Sequence, residues 1–356
     1  MDISANTVKE LTRHTSAYKI PVTNVSRLIS LNSCLKGKVL QDFTSDYGNL
    51  LSFLNTSFDL MALITLFQFY DPQLRCFAFQ DYQLVPTLEE YSYILNIRIT
   101  DVVPFVWVPK VVRFEKIFEA LHLGIKEVER NWKSTCAIRG FYLCFLISKA
   151  EESAKKKCWE DFCRLLAIMI YGIVLFPSVE NFVSLSAICV FMNKNHVPTL
   201  LADTYFAIHS RNGKGGHVGG GIIVWEDWNI ISSCGQYSNV PLMGTRDCIN
   251  YNPTLAYRLL EFAMEGPPED AEIVELVYFA DGKDPMELEK ISRTWTRVHK
   301  RNQTTLSKKV PIAMGLYMDW VKARVKDLLF PFGKSDPLYE QPLVVMSDTV
   351  SVEFYT

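Results

Sequence analysis

The sequence has no Cys-x-x-Cys pair among its nine cysteines, so it lacks the compact thiol spacing of zinc ribbons and thioredoxin-like redox centres. It has no Gly-x-Ser-x-Gly element, which removes the strand-to-helix nucleophile elbow of the α/β-hydrolases. It has little net charge. Its 37 basic and 39 acidic side chains leave a formal −2, without the basic excess through which a domain captures nucleic acid in bulk. Long apolar runs are missing too: the longest, Leu165 to Phe176, is closed by Arg164 and Pro177 and falls short of the roughly 18 to 20 residues needed to cross a bilayer. A buried helix is expected there, and no membrane partner. Met1 to Lys19 are polar and mixed in charge, unlike a secretory signal or a transit peptide, which places the chain on the cytosolic side. No internal repeat of fixed period occurs.

What is present is apolar surface: 49% hydrophobic and 13% aromatic residues in a chain of 356, enough for one large core or two smaller ones and too much for disorder. The odd, scattered set of cysteines fits reduced thiols. Cys144, Cys158, Cys163 and Cys189 fall in helical apolar runs and are expected to pack as small hydrophobes.

Periodicity gives a mainly α fold, a multi-helix globular domain with a small β-hairpin near residues 76–85. Leu50, Leu51, Leu54, then Leu60, Leu63, Ile64 and Phe67 recur at helical spacing, with Asp71-Pro72 as a stop. Cys76–Phe79 and Tyr82–Val85 read as two short strands around Gln80-Asp81. Thr87 followed by Glu90 reads as a capping box that starts a helix. Helices are expected at Phe114–Trp132 with a break at Gly124, and then in an all-helical middle at Gly140–Lys155, Trp159–Leu175, Phe182–Met192 and Pro198–Ser210. Further helices are expected at Pro253–Met264, along the stripe Leu288, Ile291, Trp295 and Val298, and from Pro311 to Leu329. This organisation gives an N-terminal extension (1–45), a helical core (46–210), a glycine-rich connector (211–228), a C-terminal helical part (229–330) and a tail (331–356). The connector holds six of seventeen glycines within 211–221, the composition of a flexible link.

Gly333-Lys334-Ser335 lacks the glycine that a phosphate-binding loop places five residues earlier, where Leu328 stands, and the glycines of 213–221 miss the Gly-x-Gly-x-x-Gly spacing at Val218. His209, His217, Cys234 and Cys248 carry zinc-type donors without a compact spacing. His196 precedes Val197-Pro198 and reads as a surface or capping residue. The acid pairs Glu89-Glu90, Glu226-Asp227 and Glu269-Asp270 are neighbours in sequence, which do not face one another on a helix; capping and solvation account for them. Arg293, Arg297, Lys300, Arg301, Lys308 and Lys309 follow one another without an acid. Lys300, Arg301, Lys308 and Lys309 are the candidates for a nuclear-import signal or a phosphate contact, while Trp295 fits the apolar stripe as a core residue. No catalytic, cofactor-binding or metal-binding residues are assigned.

Five ordered elements form a recognisable set: Leu66–Gln80, Val85-Pro-Thr-Leu-Glu-Glu-Tyr91, Ile170–Pro177, Val197-Pro-Thr-Leu-Leu-Ala-Asp-Thr-Tyr205, and Asn239-Val-Pro-Leu-Met-Gly-Thr245 with Cys248-Ile-Asn-Tyr-Asn-Pro253. Over roughly Asp46 to Lys326 they resemble an uncharacterised plant domain, abundant in legumes and similar to the plant mobile domain of transposon-associated proteins. The resemblance implies a mostly helical, nuclear domain with no catalytic residues. The aminotransferase-like label attached to plant mobile domains is not carried over, because no lysine here stands in a context for a pyridoxal phosphate Schiff base. Relatives carry a further helical stretch where Gly213 to Trp228 runs directly here, so a segment is expected to be missing.

The leading expectation is therefore a non-enzymatic module of transposable-element origin that acts through protein partners, with no cofactor. Direct nucleic-acid binding has no helix-turn-helix, zinc-finger or basic-zipper support. The alternatives are a hydrolase or nuclease that assembles Asp203, His209 and Glu226 in space, and a degenerate element product without function.

Overall fold

The computed structural model describes residues 24–327 apart from 57–59, 68, 80–82, 101–103, 105–113, 194, 210–228, 236, 238, 247, 261, 263–265, 274–276, 279–284, 303–304, 307, 309 and 311–314. Two short helices, α1 (Ser26–Asn32) and α2 (Gly37–Tyr47), bring Leu28, Leu31 and Phe43 into the main core. The extension expected over 1–45 is thus not set apart, since α2 runs through its boundary and packs with the rest. After a single 3-10 turn at Leu50–Leu54 and α3 (Leu60–Phe67) come β1 (Tyr70–Asp71), β2 (Cys76–Ala78) and β3 (Gln83–Leu84), an antiparallel sheet in that order. β2 and β3 are the expected hairpin, with Phe77 opposite Leu84 and Ala78 opposite Gln83; its turn lies outside the described residues. β1 joins because the Asp71 carboxylate accepts the backbone N–H groups of Gln73 and Leu74 at 3.0 and 3.2 Å and folds the chain back in an Asx turn.

The helix α4 (Leu88–Leu95) follows, then α5 (Phe114–Leu121) and α6 (Ile125–Asn131), divided near Gly124 as expected. The middle is not all helical. β4 (Lys133–Thr135) and β5 (Ile138–Tyr142) precede α7 (Leu143–Lys155) and α8 (Trp159–Ile170), and β6 (Phe182–Ser184) precedes α9 (Leu185–Met192). β4, β5 and β6 form a second antiparallel sheet. Strand and helix share one apolar run at both junctions, so periodicity hides the change. Gly140 marks it, because a Cβ there would lie 2.0 Å from the carbonyl oxygen of Val183 on β6. Ser184 then caps α9 by accepting the N–H of Ala187 at 3.2 Å.

The long apolar stretch is buried as expected, through α8 and the π-turn Tyr171–Leu175. Among the described residues, no helix is long and apolar enough to cross a membrane. α10 (Val197–His209) ends the first part of the chain.

Beyond the glycine-rich stretch, which lies outside the described residues, strands alternate with short helices: β7 (Asn229–Cys234), β8 (Val240–Met243), β9 (Cys248–Tyr251), α11 (Pro253–Leu259), α12 (Asp270–Ile273), β10 (Val277–Tyr278), α13 (Pro285–Trp295), β11 (Val298–Asn302) and α14 (Gly315–Asp327). The part expected to be helical therefore carries two small sheets, β10-β9-β8 and β11-β7, both antiparallel. Val298 belongs to β11 and not to the helix of Trp295. The fold is mixed α/β and mainly helical, with small antiparallel sheets.

α14 returns to the first sheet. Tyr317, Val321 and Val325 bury against Ala78, and the Tyr317 hydroxyl donates to Gln83 Oε1 at 2.6 Å. Arg324 donates to Asp71 through Nε at 2.5 Å and Nη2 at 3.0 Å. Asp71 is only 1% exposed, so removing its partner strands a buried carboxylate. Arg324→Ala is expected to cost about 3 kcal/mol. Lys149→Ala, which frees only the half-exposed Glu127 and Glu152, costs less than about 1 kcal/mol. Urea midpoints of the two variants give the comparison; equal shifts would show that the pair does not hold α14.

Candidate functional site

Four of the quoted sequence elements meet around α10, whose residues from Val197 to Asp203 are all buried. Successive residues on a helix point about 100° apart, and α10 uses this to reach three neighbours in a row. Asp203 accepts from Thr245, through its N–H at 2.8 Å and its hydroxyl at 2.5 Å. Thr204 Oγ1 accepts the Tyr91 hydroxyl at 2.9 Å and donates to its own Leu200 carbonyl. The Tyr205 hydroxyl donates to the Pro86 carbonyl at 2.5 Å.

α4 supplies the opposite wall. The expected capping box is present: Glu90 N donates to Thr87 Oγ1 at 3.1 Å, and the Glu90 carboxylate accepts the Thr87 N–H at 2.8 Å. Glu89, beside it, accepts the N–H of Ile231 on β7 at 3.2 Å and the hydroxyl of Tyr251 on β9 at 3.3 Å. Solvation therefore does not account for this acid pair, since each residue is 7% exposed. They diverge on the helix and hold different segments. On the far side, Asn252 caps α11 through the N–H groups of Thr254 and Leu255 and donates to the Glu272 carbonyl at 3.1 Å.

Burial sets the electrostatics of this junction. It pushes the Glu89 carboxyl up to about 7, against the bonds from Ile231 and Tyr251 and with help from the Glu90 charge. Burial also raises Glu90, opposed by its Thr87 bonds, and raises Asp203, opposed by Arg246 and by its Thr245 bonds. A carboxyl near neutrality beside a tyrosine is the type of group used in proton transfer. Here both of its oxygens carry bonds that hold strands in place.

The other sequence candidates are dispersed. Asp203 and His209 lie six residues apart on α10, about 240° around its axis, and His209 meets the Tyr70 ring edge-on at 6.5 Å. Glu226, the third member of that set, and His217 of the zinc set lie outside the described residues, as do Asp227, Gly333, Lys334 and Ser335. Among the described residues no group of three or more His, Cys, Asp or Glu side chains is placed to hold a metal ion. All nine cysteines are free thiols. Cys163 is buried and Cys189 half-buried, but Cys144, off the inner face of α7, and Cys158, just ahead of α8, are exposed. His196 is half-buried, not a surface residue; it packs edge-on against Tyr171 at 5.3 Å and is held below its ordinary range by burial. Glu269 and Asp270 are both exposed, and the N–H of Glu269 is bound by Glu272 at 2.9 Å.

Of the basic candidates, Lys300 and Arg301 are strand residues opposite Ile231 and Ile230. Lys300 is half-buried, with Nζ 3.5 Å from the Ile99 carbonyl, whereas Arg301 and Lys308 are exposed; Lys309 lies outside the described residues. Trp295 is a core residue, as its stripe predicts, and donates to the Pro241 carbonyl at 2.8 Å. The roles of Tyr205, Thr245 and Tyr251 escape a reading by periodicity. The available signal is Asp203-Thr204 set inside an otherwise apolar helix, where polar residues need partners.

Because the Glu89 carboxyl is raised in the folded state, the folded chain binds the extra proton and its stability falls as pH rises from the ordinary carboxylate range through about 7. Glu90 and Asp203 act in the same direction. Unfolding free energy is expected to drop by about 3 kcal/mol between pH 5 and pH 8 on account of Glu89, and Glu89→Gln should flatten most of that slope in urea titrations at both pH values. An unchanged slope would mean that Glu89 ionises normally.

The sequence matches the model of a family described as Domain of unknown function (DUF7745), over residues 28–224 and 222–326. The second segment begins where the first ends, just after the glycine-rich stretch. No curated protein and no solved structure matches the chain. The two segments cover most of its length and both walls of the junction around α10, and the chain belongs to the DUF7745 family.

Proposed function

We propose that this chain is a non-enzymatic protein-interaction module, a multi-helix domain akin to the plant mobile domain of transposable-element-derived proteins, and that it acts in the nucleus. One observation carries the reading: Glu89, Glu90 and Asp203 and the hydroxyls of Tyr91, Thr204, Tyr205, Thr245 and Tyr251 bond to one another and to backbone. Glu89, Asp203, Tyr205 and Tyr251 each hold another segment of the same chain, and Glu90 closes the cap of its own helix. Side chains committed in this way hold the junction's segments together and fix a rigid surface. Recognition then falls to the exterior.

The test is affinity purification of a tagged copy from plant nuclei and from cytosol, with mass spectrometry of the associated proteins. A reproducible nuclear complex is expected. Recovery with chaperones and proteasome subunits alone would overturn the reading in favour of a degenerate product. A second expectation concerns Lys300, Arg301, Lys308 and Lys309. Their joint replacement by Ala should move the tagged protein out of the nucleus in fluorescence images, and an unchanged distribution would assign nuclear entry to something other than these cations.

A further inference from the structure

Between Lys290 and Met318 the sequence has seven lysines and arginines and no acid, in a chain whose total is −2. The remainder is therefore net acidic, and the positive charge is concentrated on one short segment. The fold keeps that segment together. Arg293 is on the last turn of α13 with its side chain 76% exposed and Glu289 as its partner. Arg297, exposed, leads directly into β11, its carbonyl accepting the N–H of Gly235 at 3.1 Å. After β11, a tight turn in which Leu306 N donates to the Asn302 carbonyl at 3.1 Å brings the chain back, and Leu306 packs on the cluster of Ile230, Leu260 and Phe262. Exposed Lys308 follows two residues later.

Arg301 is the centre of this surface. Its guanidinium lies 5.4 Å from the centroid of the Tyr257 ring, stacked at the rim of the same apolar cluster. The side chain is exposed, and a guanidinium so placed can take a carboxylate with two parallel hydrogen bonds. The β7–β11 ribbon that carries it is held along its other edge, since β7 gives the Ile231 N–H to Glu89. Arg301 thus sits on a supported strand, with Arg297 and Lys308 beyond its two ends.

We infer that the face formed by the end of α13, β11 and the turn to Lys308 docks an acidic stretch of another polypeptide, with Arg301 as its anchor. The scale fits: the five residues of β11 span about 17 Å, the reach of a short acidic segment. A nucleic acid fits less well. Its phosphates continue beyond the patch at one negative charge per about 1.7 Å of duplex axis, into the field of a net acidic remainder. A single strand would look for an open aromatic face on which to stack its bases, and the face of Tyr257 is covered by Arg301. The inference deepens the interaction-module reading and rests on it.

The test uses the purified full chain and a fluorescein-labelled peptide of about eight residues, alternating Glu and Ser, followed by anisotropy at low salt. Saturable binding is expected, weakened at least about fivefold when NaCl rises from about 50 to 200 mM. Arg297→Glu with Arg301→Glu should weaken it about tenfold or more. Arg301→Lys, which keeps the charge but loses the stacked fork, should weaken it about threefold. Arg293→Glu with Lys308→Glu lies outside the strand and gives the same direction should the first pair unfold, which circular dichroism monitors. Three results would each overturn the proposal: no binding by the parent chain up to about 1 mM peptide at low salt, binding that neither pair of reversals changes, or equal or tighter binding of a fluorescein-labelled single-stranded oligonucleotide of matched length. A nuclear complex that persists in cells when any of these is found would locate the module's contact elsewhere and leave the module reading standing.

Discussion

α10 is the element through which the rest of the chain is connected, and the connection is made of three consecutive side chains. A helix buried on one side can satisfy itself with an apolar stripe. One that is surrounded has no polar face, so any polar residue on it needs a partner from a neighbouring segment or costs desolvation. Asp203, Thr204 and Tyr205 find those partners in Thr245, Tyr91 and Pro86. Apolar packing alone would tolerate α10 rotated or shifted by a turn; these bonds fix its rotation, because each is satisfied in one setting only.

Glu89 performs the same service for the strand-rich part. β7 pairs with β11 along one edge, and toward α4 it meets a carboxylate in place of another strand. The Glu89 oxygen that accepts the Ile231 N–H takes the position of a ladder carbonyl, at 3.2 Å. An edge closed by a single side chain stays short, which limits strand addition there. The same acid draws in Tyr251 from β9, so one buried carboxylate sets two strands against the helix whose N-terminus Glu90 caps. This coupling explains why the most distinctive sequence elements meet around α10 although more than a hundred residues separate them.

Helices with an inner face were legible in the sequence, as were the Thr87–Glu90 cap, the strand pair near 76–85 and the burial of Trp295. Each depends on residues close together in the chain. The β5 and β6 strands were not legible, because Phe141, Phe182 and Val183 continue the apolar runs of the helices they lead into. β7, with Ile230 and Ile231 buried on opposite faces, shows no alternation for the same reason. The role of Glu89 was hidden for another cause. Its acceptor bonds come from residues 142 and 162 positions away, and its neighbour Glu90 already offered a sufficient local explanation for an acid at a helix start.

Tyr257 joins the two features that define the molecule, the buried acid and the exposed cations. Its phenol responds to both: the Arg301 charge favours its ionised form and the Glu89 charge opposes it, under a burial that raises it overall. The Glu89 carboxylate closes the free edge of β7 at Ile231, and the Arg301 guanidinium lies over the Tyr257 ring on the exposed side of the same two-stranded ribbon. The ring is thus the group on which the fold brings the buried acid and the exposed cation to bear at once.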